Sequence, residues 1–305
     1  MINFRYHLIS LIAVFAALAV GVVLGAGPLQ MRLNTALESS KDSDGGATAS
    51  QLAAAKAMAS TEAKGLEQIE SQFLPGTLTD VAVATVALPG ADESDVQRVR
   101  AALEKAGAKL VGAVALTDQW DSTSMSTYRQ TLATPLESHT NADIPADTTA
   151  DGVVGYAIAQ VLTTTGSETD LVRDIITDDS TPILEISEDP KGGAQALVLV
   201  GARSVQTAQA DSHAKDTSAR ALDAWVGTAK AIAAVAPRSV LVGDASQDSS
   251  MVAQLRALDT PISTVDSPAS TLAALNAALA VAQAGDSPLA LGVGVGAANA
   301  LPSLK

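Results

Sequence analysis

Asp80-Val81-Ala82-Val83-Ala84-Thr85-Val86-Ala87-Leu88 is an almost unbroken apolar run with several β-branched residues. A strand with one wet face alternates polar and apolar side chains. A run that does not alternate suits a strand covered on both faces, as in a parallel sheet. Pro89-Gly90 and Asp92 follow at once and supply a strand-to-helix turn. Ser239–Gly243, SVLVG, repeats the buried-strand pattern. Further strands are predicted over Lys109–Leu116, Thr181–Ser187, Ala196–Gly201, Ile262–Val265 and Leu289–Val295. Helices are predicted between them, over Glu93–Ala106, Ser124–Leu136, Gly152–Thr164, Glu168–Thr177, Ala219–Val235, Met251–Leu258 and Thr271–Ala284. The alternation predicts a doubly wound, mostly parallel α/β sandwich over residues 75–305.

Two polar stretches interrupt this pattern, Glu137–Ala150 and Arg203–Ser218. Their length marks them as functional surfaces or disordered insertions, and their composition favours disorder. The second follows a strand and could lie over the carboxyl edge of the sheet, where open α/β sheets bind ligands.

Towards the amino end the chemistry changes. Leu8–Leu29, LISLIAVFAALAVGVVLGAGPL, carries no charge. As a helix it covers roughly 33 Å, enough to cross the hydrocarbon of a bilayer. A cleaved secretory signal is the alternative, but this run exceeds its usual apolar length and Pro28 spoils the cleavage site. The expectation is a single-pass cell-membrane protein: a cytoplasmic tail over 1–7, a transmembrane helix over 8–29, and the main domain outside the cytoplasm. Ala13, Ala17, Gly21 and Gly25 recur every four residues and put small side chains on one helix face, a surface for helix pairing in lipid.

Residues 30–74 read as linker and coiled coil. Ser39–Ser50, with Gly45-Gly46, has linker composition. Leu52, Ala55, Ala59, Glu62, Leu66, Ile69 and Phe73 are then spaced alternately by three and four, the signature of a coiled-coil seam and hence of a homodimer. The other reading is one amphipathic helix packed on its own domain; Glu62 and Gly65 weaken the seam.

Composition removes several function classes. A formal charge of −14 disfavours nucleic acid and anionic lipid surfaces, both of which need clustered Lys and Arg. With no cysteine, disulfides, iron–sulfur clusters and thiolate metal sites are excluded. Only 3% of the residues are aromatic, so the core must rest on close packing of small side chains.

No catalytic constellation is legible. There is no GxxxxGK[ST] and no GxSxG. Gly292-Val293-Gly294-Val295-Gly296 resembles a phosphate cradle but lacks the helix and the distant acid of a dinucleotide fingerprint; its glycines read instead as room for close packing of a last strand. His7, His139 and His213 share no metal-binding spacing, and the five methionines are scattered, so no copper site is visible. Asp118, Asp121, Asp244, Asp248 and Asp266 follow strands. A parallel sheet would bring them to one edge, as a cation or ligand site or as turn and cap residues. The chain is read as non-enzymatic, with no cofactor.

Phe4-Arg5-Tyr6-His7-Leu8-Ile9-Ser10-Leu11-Ile12-Ala13-Val14-Phe15, continued through Leu18-Ala19 and Gly21 to Gly25-Ala26-Gly27-Pro28-Leu29, closely resembles the start of the actinobacterial MctB/SteB family. A Gly296-Ala297…Leu301-Pro302 ending agrees with it more weakly. The resemblance implies a single-pass membrane protein with a coiled coil and an α/β domain. It implies one of two roles. The first is an envelope adaptor that controls peptidoglycan hydrolysis during cell separation through a SteA-like membrane partner. The second is a component of copper transport or homeostasis. The Gly45-Gly46 pair departs from a continuous family coiled coil. One helix and buried-type strands supply no pore through lipid, which favours the adaptor.

Overall fold

A computed structural model describes residues 45–203, 220–283 and 287–303. The chain divides into two units, Met1–Thr61 and Glu62–Lys305. The run Leu8–Leu29, with Ala13, Ala17, Gly21 and Gly25, lies outside the described residues. Among the described residues no helix is long and apolar enough to cross a membrane.

The first described element is α1, Gly45–Phe73. Its described residues reach into the stretch expected to be linker, so that Gly45–Ser50 is helical. The Ala-rich sequence that follows, with its Gln, Glu and Lys, propagates well.

Beyond α1, chain order is β1 (Ala82–Ala87), α2 (Glu93–Lys105), β2 (Lys109–Leu116), α3 (Ser126–His139), α4 (Ala150–Thr163), α5 (Ser167–Ile176), β3 (Leu184–Glu188), β4 (Ala196–Val200), α6 (Leu222–Val235), β5 (Val240–Gly243), α7 (Met251–Ala257), β6 (Ser263–Asp266), α8 (Thr271–Ala282) and β7 (Ala290–Leu291). Among the described residues the strands form one sheet in the order β3-β2-β1-β4-β5-β6-β7. All neighbouring pairs are parallel except β2 with β3.

Both faces of the sheet are covered. Ala84 and Val86 of β1, with Leu197 and Leu199 of β4, belong to one core, against residues of α3 to α7. Val83, Ala196, Val198 and Val200 belong to the other, against α2 and α8. This is the burial that the unbroken apolar runs predict. Strand β3 is the antiparallel edge; all but its first residue are exposed, and Glu185 and Glu188 keep that edge wet, which discourages pairing with another chain.

The expected last strand, Leu289–Val295, pairs only through Ala290 and Leu291. Gly292, with φ +126°, then turns the chain away. Glu137–Ala150 is likewise shorter and more structured than expected. Helix α3 continues through Pro135 to His139, and α4 starts at Ala150. Gln160 clamps the connection, its Nε2 donating to the His139 carbonyl at 3.0 Å while its Oε1 accepts from the Asn141 N–H at 2.6 Å. Ile144 packs on the core. Buried apolar anchorage and paired backbone groups order a segment whose composition alone suggests disorder.

Helices α4 and α6 approach through glycine. A Cβ on Gly155 would lie 2.6 Å from Thr228 Cα, and one on Gly227 would lie 2.7 Å from the Gly152 nitrogen. Such an approach suits a chain with few aromatic residues, because backbone contact replaces large side chains as the source of close packing. Gly155→Val is expected to lower unfolding stability by about 1–3 kcal/mol by forcing these helices apart, measured by urea denaturation; an unchanged midpoint would show that the contact is not rigid.

Candidate functional site

The carboxyl edge of the parallel strands is where the fold places chemistry, and the sheet changes winding direction between β1 and β4. Asp92 caps α2, accepting from the Ser94 N–H at 2.9 Å. That capping bond and the Ser94 hydroxyl hold its carboxyl below the usual carboxylate range. Asp95, fully buried in the first turn of α2, faces Arg203, which lies just beyond β4. Arg203 Nε donates to Asp95 Oδ2 at 2.6 Å and Nη2 to Oδ1 at 2.7 Å. Arg98 adds a third contact at 2.8 Å. Burial pushes the Asp95 carboxyl up, but the two arginines outweigh it and its net shift is downward. The crevice between β1 and β4 is thus bridged by a two-pronged ion pair from the chain itself.

The acids that sequence spacing singles out are engaged in different ways. Asp121, buried beyond β2, accepts from Arg220 and, at 2.9 Å, from Trp225 Nε1. Exposed Asp118 takes the other contact of Arg220 at 2.8 Å. Asp244 accepts from the Ser246 N–H at 2.9 Å and from Ser250 Oγ at 2.6 Å, a turn-and-cap arrangement. Exposed Asp248 contributes its backbone carbonyl, which accepts from Gln254 Nε2 at 2.6 Å.

Asp266 ends β6 and is the most enclosed of them. It accepts from the Val293 N–H at 3.0 Å, the Gly294 N–H at 2.9 Å, Arg256 Nη1 at 3.0 Å and Ser267 Oγ at 2.9 Å. Arg256 also donates to the carbonyls of Val295 and Leu291. The glycine-rich segment is therefore an anion cradle whose anion is a carboxylate of its own chain. A Cβ on Gly292 would collide with that carboxylate, and one on Gly294 would lie 2.7 Å from the Ala245 carbonyl oxygen. Both positions require glycine. Burial pushes the Asp266 carboxyl up, yet the Val293 and Gly294 amides and Arg256 together hold it below its ordinary value.

The acids share an edge but not a pocket. Strand β2 stands three steps from β5 in the sheet. At about 4.8 Å per step that puts roughly 14 Å between the ends carrying Asp118 and Asp244. Asp244 and Asp266 end neighbouring strands but serve different partners. Among the described residues no group of three or more His, Asp or Glu could hold a metal ion. His139 contacts Glu168 at 2.8 Å on an exposed surface.

The seam residues divide. Leu52, Ala55 and Ala59 are exposed, as are Ile69 and Phe73, at 37% and 48%. Leu66 packs on the core shared by α2 and α8. Glu70, nearly buried, accepts from Lys105 Nζ at 2.8 Å and ties the end of α1 to α2. Sequence spacing missed this ion pair, and it missed Arg203, Arg220 and Arg256. The only available signal was the position of Arg203, directly after a predicted strand.

Asp266→Asn would leave Arg256 with a buried, unopposed charge. A loss of about 3–5 kcal/mol is expected at neutral pH. Because the folded carboxyl titrates below its unfolded value, its contribution is complete above about pH 4 and fades as pH falls through the folded value. The gap between wild type and variant, read from urea unfolding, should therefore narrow below pH 4. A constant gap would contradict the pairing.

No curated protein matches the chain. The model of the MctB family, described as copper transport outer membrane protein, matches residues 1–302. On a match of that extent, the chain belongs to the MctB family.

Proposed function

We propose that this chain is a non-enzymatic envelope adaptor. It self-associates through α1 and presents its acidic α/β domain to envelope partners, within the copper-transport setting that its family description names. The observation that carries the reading is the apolar face left open on α1. Leu52 is 54% exposed and Met58 66%, and Ala55 and Ala59 are exposed as well. Leucine and alanine at alternate three- and four-residue spacing is self-complementary, so a second copy of the same helix is the occupant the pattern fits. The state of the carboxyl edge supports the same reading, since its buried acids Asp95, Asp121 and Asp266 are taken up by arginines.

The tether in this proposal is Leu8–Leu29, with the domain outside the cytoplasm. A SteA-like membrane partner and control of peptidoglycan hydrolysis are the finer form of the adaptor role. The family description favours a second reading, a component that itself carries copper, and it names the outer membrane. Separation of the two membranes by density distinguishes that location from a cell-membrane tether.

The chain has no cysteine, so a single introduced thiol reports on one position. Ala55→Cys and Ala59→Cys lie on the seam, and Lys56→Cys does not. Under mild oxidation of membranes, the first two are expected to give disulfide-linked dimers and the third far fewer, because bridged Cα atoms must approach to about 5.5–6 Å. Equal cross-linking at all three positions, or none at the seam, would refute self-association through α1.

A further inference from the structure

The α4–α6 contact through Gly152, Gly155 and Gly227 has a second effect. It sets the amino ends of both helices on one cleft of about 520 Å³, whose wall includes Arg129, Thr149, Asp151, Arg220 and Asp223. Arg129 is fully buried. Its Nε donates to Asp151 Oδ1 at 2.5 Å, and its Nη1 donates to the carbonyls of Gln119 and Ser122 at 3.0 and 2.8 Å. Its Nη2 is buried and has no partner. A buried guanidinium N–H left without an acceptor is costly, and native structures seldom tolerate one without a reason.

The surrounding groups are mostly donors. The first amides of a helix have no acceptor within it. At α6 the cap is Ala221, whose side chain can accept nothing; at α4 the Thr149 hydroxyl takes only the Gly152 N–H. Both helices are 14 residues long, so both carry full terminal dipoles. Arg220, held by Asp118 and Asp121, adds a second guanidinium to the same wall. Two acids stand there as well. Asp151 is committed to Arg129, and Asp223 is exposed in the first turn of α6. Asp223 repels a singly charged guest less than a multiply charged one, and the two helix ends, since Arg220 is already paired, offset that repulsion.

We propose that this cleft binds a singly charged oxyanion of the carboxylate class, which accepts from Arg129 Nη2 and from the open amides of α4 and α6. The inference does not depend on self-association through α1.

The full-length chain is titrated at constant ionic strength with N-acetylalanine, with its uncharged amide and with inorganic phosphate. The readouts are tryptophan fluorescence and thermal stability. Trp225 reports on the site because it hydrogen-bonds to Asp121, which holds Arg220. A saturable response to the carboxylate and none to the amide is expected. Leu222→Pro removes one amide at the first position of α6, where proline is tolerated, and Ala221 already has the extended backbone (φ −87°, ψ 109°) that a residue before proline needs. This variant should fold and bind about tenfold more weakly. Arg129→Lys should abolish binding if it folds. Equal responses to carboxylate and amide, preference for phosphate, or unchanged affinity in folded Leu222→Pro would each overturn the proposal.

Discussion

A charge removed from water must meet an opposite charge or a set of aligned dipoles, and the carboxyl edge of this sheet is organised around that requirement. Asp95, Asp121 and Asp266 are all buried, and each is met by an arginine that arrives from a different segment of the chain. Arg203 follows β4, Arg220 precedes α6, and Arg256 lies on α7. These pairs close the places where open α/β sheets usually receive ligands, and they anchor the connections that leave the strands. The Gly292–Gly296 segment carries the principle furthest, because backbone amides that could hold a phosphate hold the Asp266 carboxylate instead.

The second theme is small residues. With Ala, Val and Gly supplying much of the core, the helices sit close to one another and to the sheet. Helix α8, TLAALNAALAVA, is buried over nearly its whole length. Helices α4 and α6 meet through backbone. Both tryptophans reinforce that region: Trp120 donates to Thr228 on α6 at 2.8 Å, and Trp225 donates to Asp121. The start of α6 is therefore fixed beside the loop that follows β2, and the cleft containing Arg129 is rigidly framed. Packing and electrostatics meet there, at a guanidinium nitrogen of Arg129 left without an acceptor.

Much of this architecture was legible in the sequence, because unbroken apolar runs report burial on both faces of a sheet. Residues 109–116 form the predicted strand to the residue, and the Pro89-Gly90…Asp92 turn caps its helix as expected. What failed depended on distant partners. Leu289–Val295 has strand composition, but the Asp266 carboxylate draws the chain away after Leu291. Glu137–Ala150 has the composition of disorder, but Gln160, remote in sequence, ties it down. The acids after the strands were visible and their arginines were not, since side-chain pairing across a sheet leaves no local spacing. On α1, three- and four-residue periodicity could not separate a seam facing a second chain from one facing its own domain. Leu66 faces the domain while Leu52, Ala55 and Ala59 stay open.

On the proposed adaptor reading copper is not held by the chain itself: the buried acids of the carboxyl edge are paired with arginines, and a chain without cysteine offers no thiolate. Membership of a family described as copper transport proteins makes copper the ion that matters. The most direct measurement is titration of purified full-length protein with copper(I) against a competing chelator of known affinity. The adaptor role leads to no stoichiometric uptake from the chelator. Tight binding of one copper per chain would contradict it and would make metal carriage the protein's own task.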